Sequence, residues 1–293
     1  MTFSGSYVAI VTPWNNDATA IDFGALKDLI EFHVAAGTDG IVPAGTTGES
    51  ATLTHQEQNE LVRRAVEMAA GRVKVVAGAG SNSTAESVAL AKAAKASGAD
   101  GLLVITPYYN RPTPEGLVRH FRAVGEATDL PIMAYNVPSR TGTNLLPPTA
   151  ARIRKEAPTV VCVKEASGSV DQTSQILEMC DLEVMSGDDS LTLPLMAVGA
   201  KGVVSVAANV MPAEVKRMVS AALAGDFAAA REWHYKLLPL MKAVFFETNP
   251  IPSKTALRMM GRGNGVLRLP MCPMLPENES KLREVLAGYG LVR

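Results

Sequence analysis

The stretch Val160-Val161-Cys162-Val163-Lys164-Glu165-Ala166-Ser167 decides how this chain is read. Four apolar residues run directly into a lysine and a glutamate, then into small residues. Polar and apolar positions do not alternate strictly before Lys164, as expected of a parallel strand buried on both faces. Strand side chains alternate, so Cys162, Lys164 and Ala166 share one face and Val161, Val163 and Glu165 the other.

Seven further runs have the same character: SYVAIVTP (6–13), GIVPAG (40–45), VKVVAGAG (73–80), GLLVITPYY (101–109), PIMAYNVP (131–138), EVMSGDD (183–189) and GVVSVAA (202–208). Helix-like segments separate them. Leu26, Leu29, Ile30, His33 and Val34 fall on one helical face, and Gly37 can end that helix. Thr54-His55-Gln56-Glu57 has the form of a capping box, and Ser83 with Glu86 three residues on looks similar. Thr113-Pro114 pairs a cap with a proline at the first helical position. Alternating strand and helix make a parallel α/β architecture, and eight units predict a (β/α)8 TIM barrel. A doubly wound sheet is the alternative. Its phosphate-binding glycine pattern is incomplete here, because Gly78-Ala79-Gly80-Ser81-Asn82-Ser83 lacks the third glycine. The eighth unit ends near Gly225. The rest is helical, with Pro-rich links, so residues 1–225 are expected to form a barrel and 226–293 a C-terminal helical appendage.

The 293 residues carry 28 Lys+Arg against 29 Asp+Glu, a net charge of −1. That balance argues against a general nucleic-acid or anionic-membrane binder. Apolar residues make up 47% and charged residues 19%, which excludes a disordered chain. Cys162, Cys180 and Cys272 have neither zinc nor redox spacing, and three is a poor number for a disulfide framework. Residues 1–16 lack the basic start of a secretory signal, and no apolar stretch reaches the ~18 residues a membrane span needs. A cytoplasmic protein without membrane or nucleic-acid partners is expected.

Barrel active sites sit where the strands turn polar. Lys164 is the sharpest signal there. A lysine among Val and Cys is desolvated, which lowers its pKa and frees the amine as a nucleophile toward a ketone. The competing reading is a structural lysine paired with a buried carboxylate such as Asp188. Tyr135 ends the neighbouring run and can shuttle protons, or be a core aromatic. Arg140, in Pro-Ser-Arg-Thr-Gly, suits a carboxylate, or is a solvated loop residue. Gly45-Thr46-Thr47-Gly48-Glu49 offers two hydroxyls and backbone N–H groups as a carboxylate nest. Glu49, Glu165, Asp188 and Asp189 have no histidine among them, so no metal site is expected. Two acids after run seven would repel phosphate, which favours a small unphosphorylated carbonyl acid. His33 and His120 read as packing or surface residues.

With VAIVTP, GTTGESATL, TPYYNRP, YNVPSRTG, KEASG, SGDD, GVVSV, NPIPSK and LRLPM in view, the chain closely resembles the 4-hydroxy-tetrahydrodipicolinate synthase (dihydrodipicolinate synthase) family. That family belongs to the N-acetylneuraminate lyase class I aldolases, and the resemblance runs nearly end to end. It implies a lyase of lysine biosynthesis that condenses pyruvate with L-aspartate 4-semialdehyde. It also implies a homotetramer built as a dimer of dimers, and no cofactor beyond the covalent Schiff base. Carried over by motif, Lys164 would form that Schiff base, and Tyr135, Thr46 and Tyr109 the proton relay, with Tyr109 reaching in from the neighbouring subunit. Thr47 would hold the pyruvate carboxylate and Arg140 that of the semialdehyde. The backbone of Gly187 and Val204 would line the pocket; relatives often carry Ile where Val204 stands.

The resemblance also implies L-lysine feedback inhibition at Ser50, Ala51, His55, Asn82, Glu86 and Tyr108, with Glu86 pairing with the ammonium. Gln58 departs from sensitive relatives, which often have histidine, and Glu86 can instead serve a helix cap. Two other readings compete with the synthase: a lyase of sialic or keto-deoxy sugar acids, and a non-catalytic barrel that binds a keto or amino acid. The arginine of YNVPSRTG and the GTTGE threonine pair favour the synthase over the former. Lys164 together with Tyr135 speaks against the latter.

Overall fold

Eight parallel strands pair in chain order and close into a barrel, β1 meeting β8. They are β1 (Gly5–Ala9), β2 (Gly40–Val42), β3 (Lys74–Gly78), β4 (Gly101–Ile105), β5 (Ile132–Asn136), β6 (Val160–Glu165), β7 (Glu183–Ser186) and β8 (Gly202–Ser205). Each falls within one of the eight apolar runs except β1, which begins one residue earlier, at Gly5. The computed structural model describes residues 3–293; Met1 and Thr2, the start of the uncharged N-terminal stretch, lie outside the described residues.

The alternation of strand side chains builds two apolar layers. Tyr7, Ala9, Val42, Val76, Leu103, Met133, Cys162, Met185 and Val204 fill the barrel interior. Val8, Ile41, Val75, Leu102, Val104, Ala134, Val163 and Val184 face the helices. Each large side chain buried this way contributes roughly 1.5–3 kcal/mol. The interior is tight enough to dictate a glycine: a Cβ on Gly40 would sit 2.1 Å from the Tyr7 ring.

One irregularity places the chemistry. Between β5 and β6, Ile132 pairs with Val160 but Met133 pairs with Cys162, so Val161 is the extra residue of a bulge. Beyond it Tyr135 pairs with Lys164 and Asn136 with Glu165.

The helices are α1 (Phe23–Ala35), α2 (His55–Ala69), α3 (Thr84–Ala96), α4 (Pro114–Glu126), a one-turn α5 (Pro138–Thr141), α6 (Pro147–Glu156), α7 (Val170–Met179), α8 (Thr192–Ala197) and α9 (Pro212–Leu223). Then come α10 (Phe227–Ala243), α11 (Ile251–Met259) and α12 (Pro276–Gly288). On α1, Leu26, Leu29, Ile30 and His33 are buried as the spacing predicts. The Thr54–Glu57 box forms in full: Glu57 N donates to Thr54 Oγ1 (3.1 Å) and Thr54 N to Glu57 Oε2 (2.9 Å). Thr113 caps α4 ahead of Pro114. The Ser83 box forms only by half. Glu86 N reaches Ser83 Oγ at 3.4 Å, but the Glu86 carboxylate accepts from Ser81 Oγ at 2.6 Å instead of returning to the cap.

His33 and His120 are both buried, each bonded through Nδ1 to a threonine hydroxyl, Thr38 (3.2 Å) and Thr84 (3.0 Å). Burial pushes their pKa values down to about 3 and about 4, so they pack as neutral rings. Helix α10 packs on α9, α11 beside the turn that follows β8, and α12 on α10 and α11. Leu237, Leu240, Leu282 and Leu286 thereby join the same apolar layer that covers the strands. Among the described residues no helix is long and apolar enough to cross a membrane.

Candidate active site

Lys164 stands at the C-terminal end of β6 with 4% of its surface exposed. Its amine lies 4.2 Å from the centre of the Tyr135 ring on the adjacent strand. Among the described residues no carboxylate comes within ion-pair distance of it. Burial therefore dominates and lowers its pKa to about 7, with Asp189 pulling upward and Arg140 downward. Lowered this far, Lys164 holds the free amine near neutral pH far more readily than an ordinary lysine, and the free amine is the form that attacks a carbonyl. Asp189 is itself buried and committed elsewhere: it accepts from Ser205 Oγ and from the backbone N–H of Val206 (2.9 Å) and Ala207 (3.1 Å).

One residue further along, Glu165 locks the tops of β5 and β6 together. Its carboxylate accepts from Asn136 Nδ2 (3.1 Å), Gln172 Nε2 (3.1 Å) and Ser167 N (2.6 Å). Asn136 Oδ1 in turn accepts from Leu145 N at 2.9 Å, closing the base of the loop that carries Arg140. Tyr135 is buried, and burial raises its hydroxyl pKa to about 12 against lowering pulls from Arg140 and the Thr46 side chain. Its hydroxyl is therefore neutral at ordinary pH.

A cavity of about 600 Å³ opens above Lys164, and Thr46, Thr47, Tyr135, Arg140 and Gly187 lie on its wall. A Cβ on Gly187 would stand 3.1 Å from Lys164 Cε and 2.8 Å from Ala166 Cβ, so a larger residue there crowds the lysine. Val204 lies deeper, buried in the barrel interior. On β8's extension it is Val206, two residues nearer the mouth, that reaches the wall. Tyr109 is not brought to the cavity of its own chain: it is 90% exposed, on a loop where its φ is +70°.

A second cavity, about 440 Å³, adjoins the first and shares Thr46, Arg140 and Asn249 with it. Ser50, Ala51, His55, Glu86 and Tyr108 line it, and Asn82 does not. Asn82 instead offers its carbonyl to Asn110 Nδ2 at 2.8 Å. His55 Nε2 stands 3.8 Å from Glu86 Oε2. Gln58 also borders the cavity, but its amide donates to Gly78 O at 2.8 Å.

Sequence reasoning overlooked one wall. Phe245, Glu247, Thr248 and Asn249, from the link between α10 and α11, border the cavity above Lys164. Asn249 Nδ2 donates to Thr47 Oγ1 at 2.9 Å, and Lys254 Nζ meets Glu49 Oε1 at 2.5 Å. The only sequence signal was a polar residue and a lysine set in the apolar, Pro-rich NPIPSK.

Fold and site together define a class of protein: α/β barrels with a buried, strand-borne lysine amine facing the cavity at the barrel mouth. The chain belongs to the dihydrodipicolinate synthetase family, whose model matches residues 2–288. The 4-hydroxy-tetrahydrodipicolinate synthase of Nitratidesulfovibrio vulgaris is 52% identical over the full length of both chains. The crystal structure of dihydrodipicolinate synthase from Aquifex aeolicus superposes with a TM-score of 0.97, at 52% identity and 99% coverage of each chain. The Acinetobacter baumannii dihydrodipicolinate synthase, solved with pyruvate, gives 0.96 at 41% identity, covering 99% of this chain and 100% of the other. The Cyanidioschyzon merolae enzyme, solved with lysine bound, gives 0.96 at 40%, covering 99% of each.

Proposed function

We infer that this chain is a lyase that condenses pyruvate with L-aspartate 4-semialdehyde, the 4-hydroxy-tetrahydrodipicolinate synthase reaction of lysine biosynthesis. The observation that carries this reading is Lys164: a buried, unpaired amine beside Tyr135 in a barrel mouth, in a chain about half identical to named synthases. The neutral amine attacks the pyruvate ketone, and the carbinolamine loses water to give a protonated imine. The imine draws electrons from the methyl carbon, which loses a proton and becomes an enamine. The enamine carbon attacks the aldehyde, whose oxygen takes up a proton. The semialdehyde's own amine then adds to the imine carbon, closes the ring and expels Lys164.

The protons moved in these steps can pass through hydroxyls at hand. Tyr135 and Thr46 supply two from this chain, and Tyr109 a third from a second copy of it. Thr47 holds the pyruvate carboxylate and Arg140 that of the semialdehyde. The backbone of Gly187 lines the pocket beside Lys164, and on the β8 side Val206, not Val204, reaches it. In this reading the catalytic barrel is residues 1–225, the helical domain is 226–293, and the enzyme works in the cytoplasm as a homotetramer with no cofactor but the imine. The exposed Tyr109, held at positive φ away from its own chain's cavity, supports a tight dimer in which it reaches a second copy.

L-lysine is the feedback ligand of the second cavity, where Glu86 has left the helix cap and offers a carboxylate. Ser50, Ala51, His55 and Tyr108 frame it, while Asn82 lies off its wall. Millimolar L-lysine should slow turnover, and Glu86→Ala should remove that inhibition. Unchanged turnover of the wild type in lysine would leave the cavity without this ligand.

Mass spectrometry after borohydride reduction with pyruvate tests the core of the reading. A pyruvate-sized adduct on Lys164, absent from Lys164→Ala, is expected. A folded wild type that gives no adduct would make the chain a binding barrel. An adduct without turnover of the semialdehyde would make it a lyase of another acceptor.

A further inference from the structure

The C-terminal segment reaches the catalytic loop through one side chain. Asn249, 4% exposed, donates from Nδ2 to Thr47 Oγ1 at 2.9 Å. A threonine hydroxyl has one proton and two lone pairs. With the Asn249 N–H on one lone pair, the hydroxyl proton is left to point elsewhere, and Thr47 borders the cavity that holds Lys164. The Asn249 carbonyl oxygen has no partner among the described residues, so the bond to Thr47 is what orients this amide.

The segment bearing Asn249 is pinned to the far side of the same loop. Lys254 Nζ donates to Glu49 Oε1 (2.5 Å) and to Thr12 O (2.8 Å). Glu49 also accepts from Trp14 Nε1 (3.0 Å) and from Arg268 N (3.0 Å). Thr47 and Glu49 thus belong to one short loop, and the helical segment grips it at both residues.

We propose that Asn249 is a positioning residue for the keto acid. By donating to Thr47 Oγ1 it presets the Thr47 hydroxyl as a donor to the substrate carboxylate. This rests on the reading of Thr47 as the ligand of the pyruvate carboxylate. A residue at 249 that only accepts reverses the arrangement: Asn249→Asp takes the Thr47 proton for itself and sets a negative charge beside the incoming carboxylate.

The test uses the full-length enzyme as Thr47→Val, Asn249→Ala, Asn249→Asp and the Thr47→Val/Asn249→Ala double variant. Steady-state KM for each substrate and the pyruvate concentration that half-saturates borohydride trapping are measured. Asn249→Ala should raise pyruvate KM roughly tenfold, the size of one oriented hydrogen bond to a charged group, and leave the semialdehyde KM unchanged. Asn249→Asp should raise it further. In the Thr47→Val background Asn249→Ala should add nothing, because both changes remove the same donor.

Independent, multiplying effects of the two substitutions, or equal rises in both KM values, would overturn the proposal while leaving Thr47's role intact. An unchanged pyruvate KM in Thr47→Val would overturn that role itself. Should Asn249→Ala not fold, Asn249→Asp keeps nearly the native shape, and an unchanged half-saturation for trapping in it would overturn the proposal.

Discussion

Lys164 and Lys254 are buried to nearly the same degree, 4% and 3% exposed, and differ in what meets the amine. Lys254 is held between the Glu49 carboxylate and the Thr12 carbonyl. Burial lowers its pKa, and Glu49 pulls it back toward the charged form. Lys164 has the face of the Tyr135 ring at 4.2 Å and a carboxylate, Asp189, that is already engaged by Ser205 and two backbone N–H groups. Desolvation is common to the two sites, so it does not by itself make a nucleophile. A free amine arises where the fold buries the lysine and, among the described residues, leaves every carboxylate beyond ion-pair distance, Asp189 being engaged elsewhere. The paired lysine, by contrast, fastens the C-terminal helices to the loop bearing Thr46 and Thr47.

Exchanging each lysine for a hydrophobe of similar length gives the sharpest way to break this comparison. Lys164→Met should cut turnover at least ~10³-fold, since no other side chain can form the imine. It should fold with stability equal to or above the wild type, because a partnerless amine is replaced by apolar surface. Kinetics and urea unfolding check both halves. A severe loss of stability would mean that Lys164 is paired in solution.

Lys254→Met should behave the opposite way. It strands Glu49 as a buried charge, which costs about 3–5 kcal/mol, seen as a lower urea midpoint. The protein that remains folded should still be labelled on Lys164 by pyruvate and borohydride. Loss of labelling in folded Lys254→Met would show that the two sites are not separable.

The pH dependence follows from Lys164. Its folded pKa, about 7, lies below the ordinary lysine value of 10.5. Between those values the unfolded chain holds the extra proton, so stability should rise with pH from about 7 to 10.5 by this contribution. The initial rate of adduct formation should rise with pH around 7, as the free amine appears. Lys164→Met should lose that part of the stability profile. An adduct rate that is flat from pH 6 to 8 would contradict a depressed Lys164 in solution.

What could be read in the sequence follows the range of the interaction. Each strand announces itself by β-branched residues over a few consecutive positions, and the caps by pairs three residues apart, such as Thr54 and Glu57. Lys164 and Tyr135 are legible for the same reason: each is a polar side chain closing an apolar run. The Lys254–Glu49 pair and the Asn249–Thr47 bond join residues more than 200 positions apart, and no local pattern encodes such a meeting. The link containing NPIP therefore reads as a spacer between helices, although it forms one wall of the cavity. Glu86 shows the reverse error. Its spacing from Ser83 is that of a capping box, yet Ser81 Oγ takes the carboxylate because the preceding loop turns that hydroxyl toward it.

Arg140 sharpens the comparison with the smallest effect. It is an exposed cation, and its charge lowers the pKa of both Lys164 and Tyr135. Removing that charge should therefore move the midpoint of pyruvate adduct formation to higher pH. Solvent screens an exposed guanidinium, so the shift in Arg140→Met should stay under about one pH unit. The same variant should raise the semialdehyde KM roughly tenfold, by loss of a charged hydrogen bond to its carboxylate, while pyruvate trapping still goes to completion. A shift toward lower pH would place Arg140's charge in contact with Asp189 or Asp188 rather than acting on Lys164, and the electrostatic account of the free amine would need a different source. A midpoint that does not move would leave burial alone as the cause of the depressed lysine, which narrows the contrast with Lys254 to the single presence or absence of Glu49.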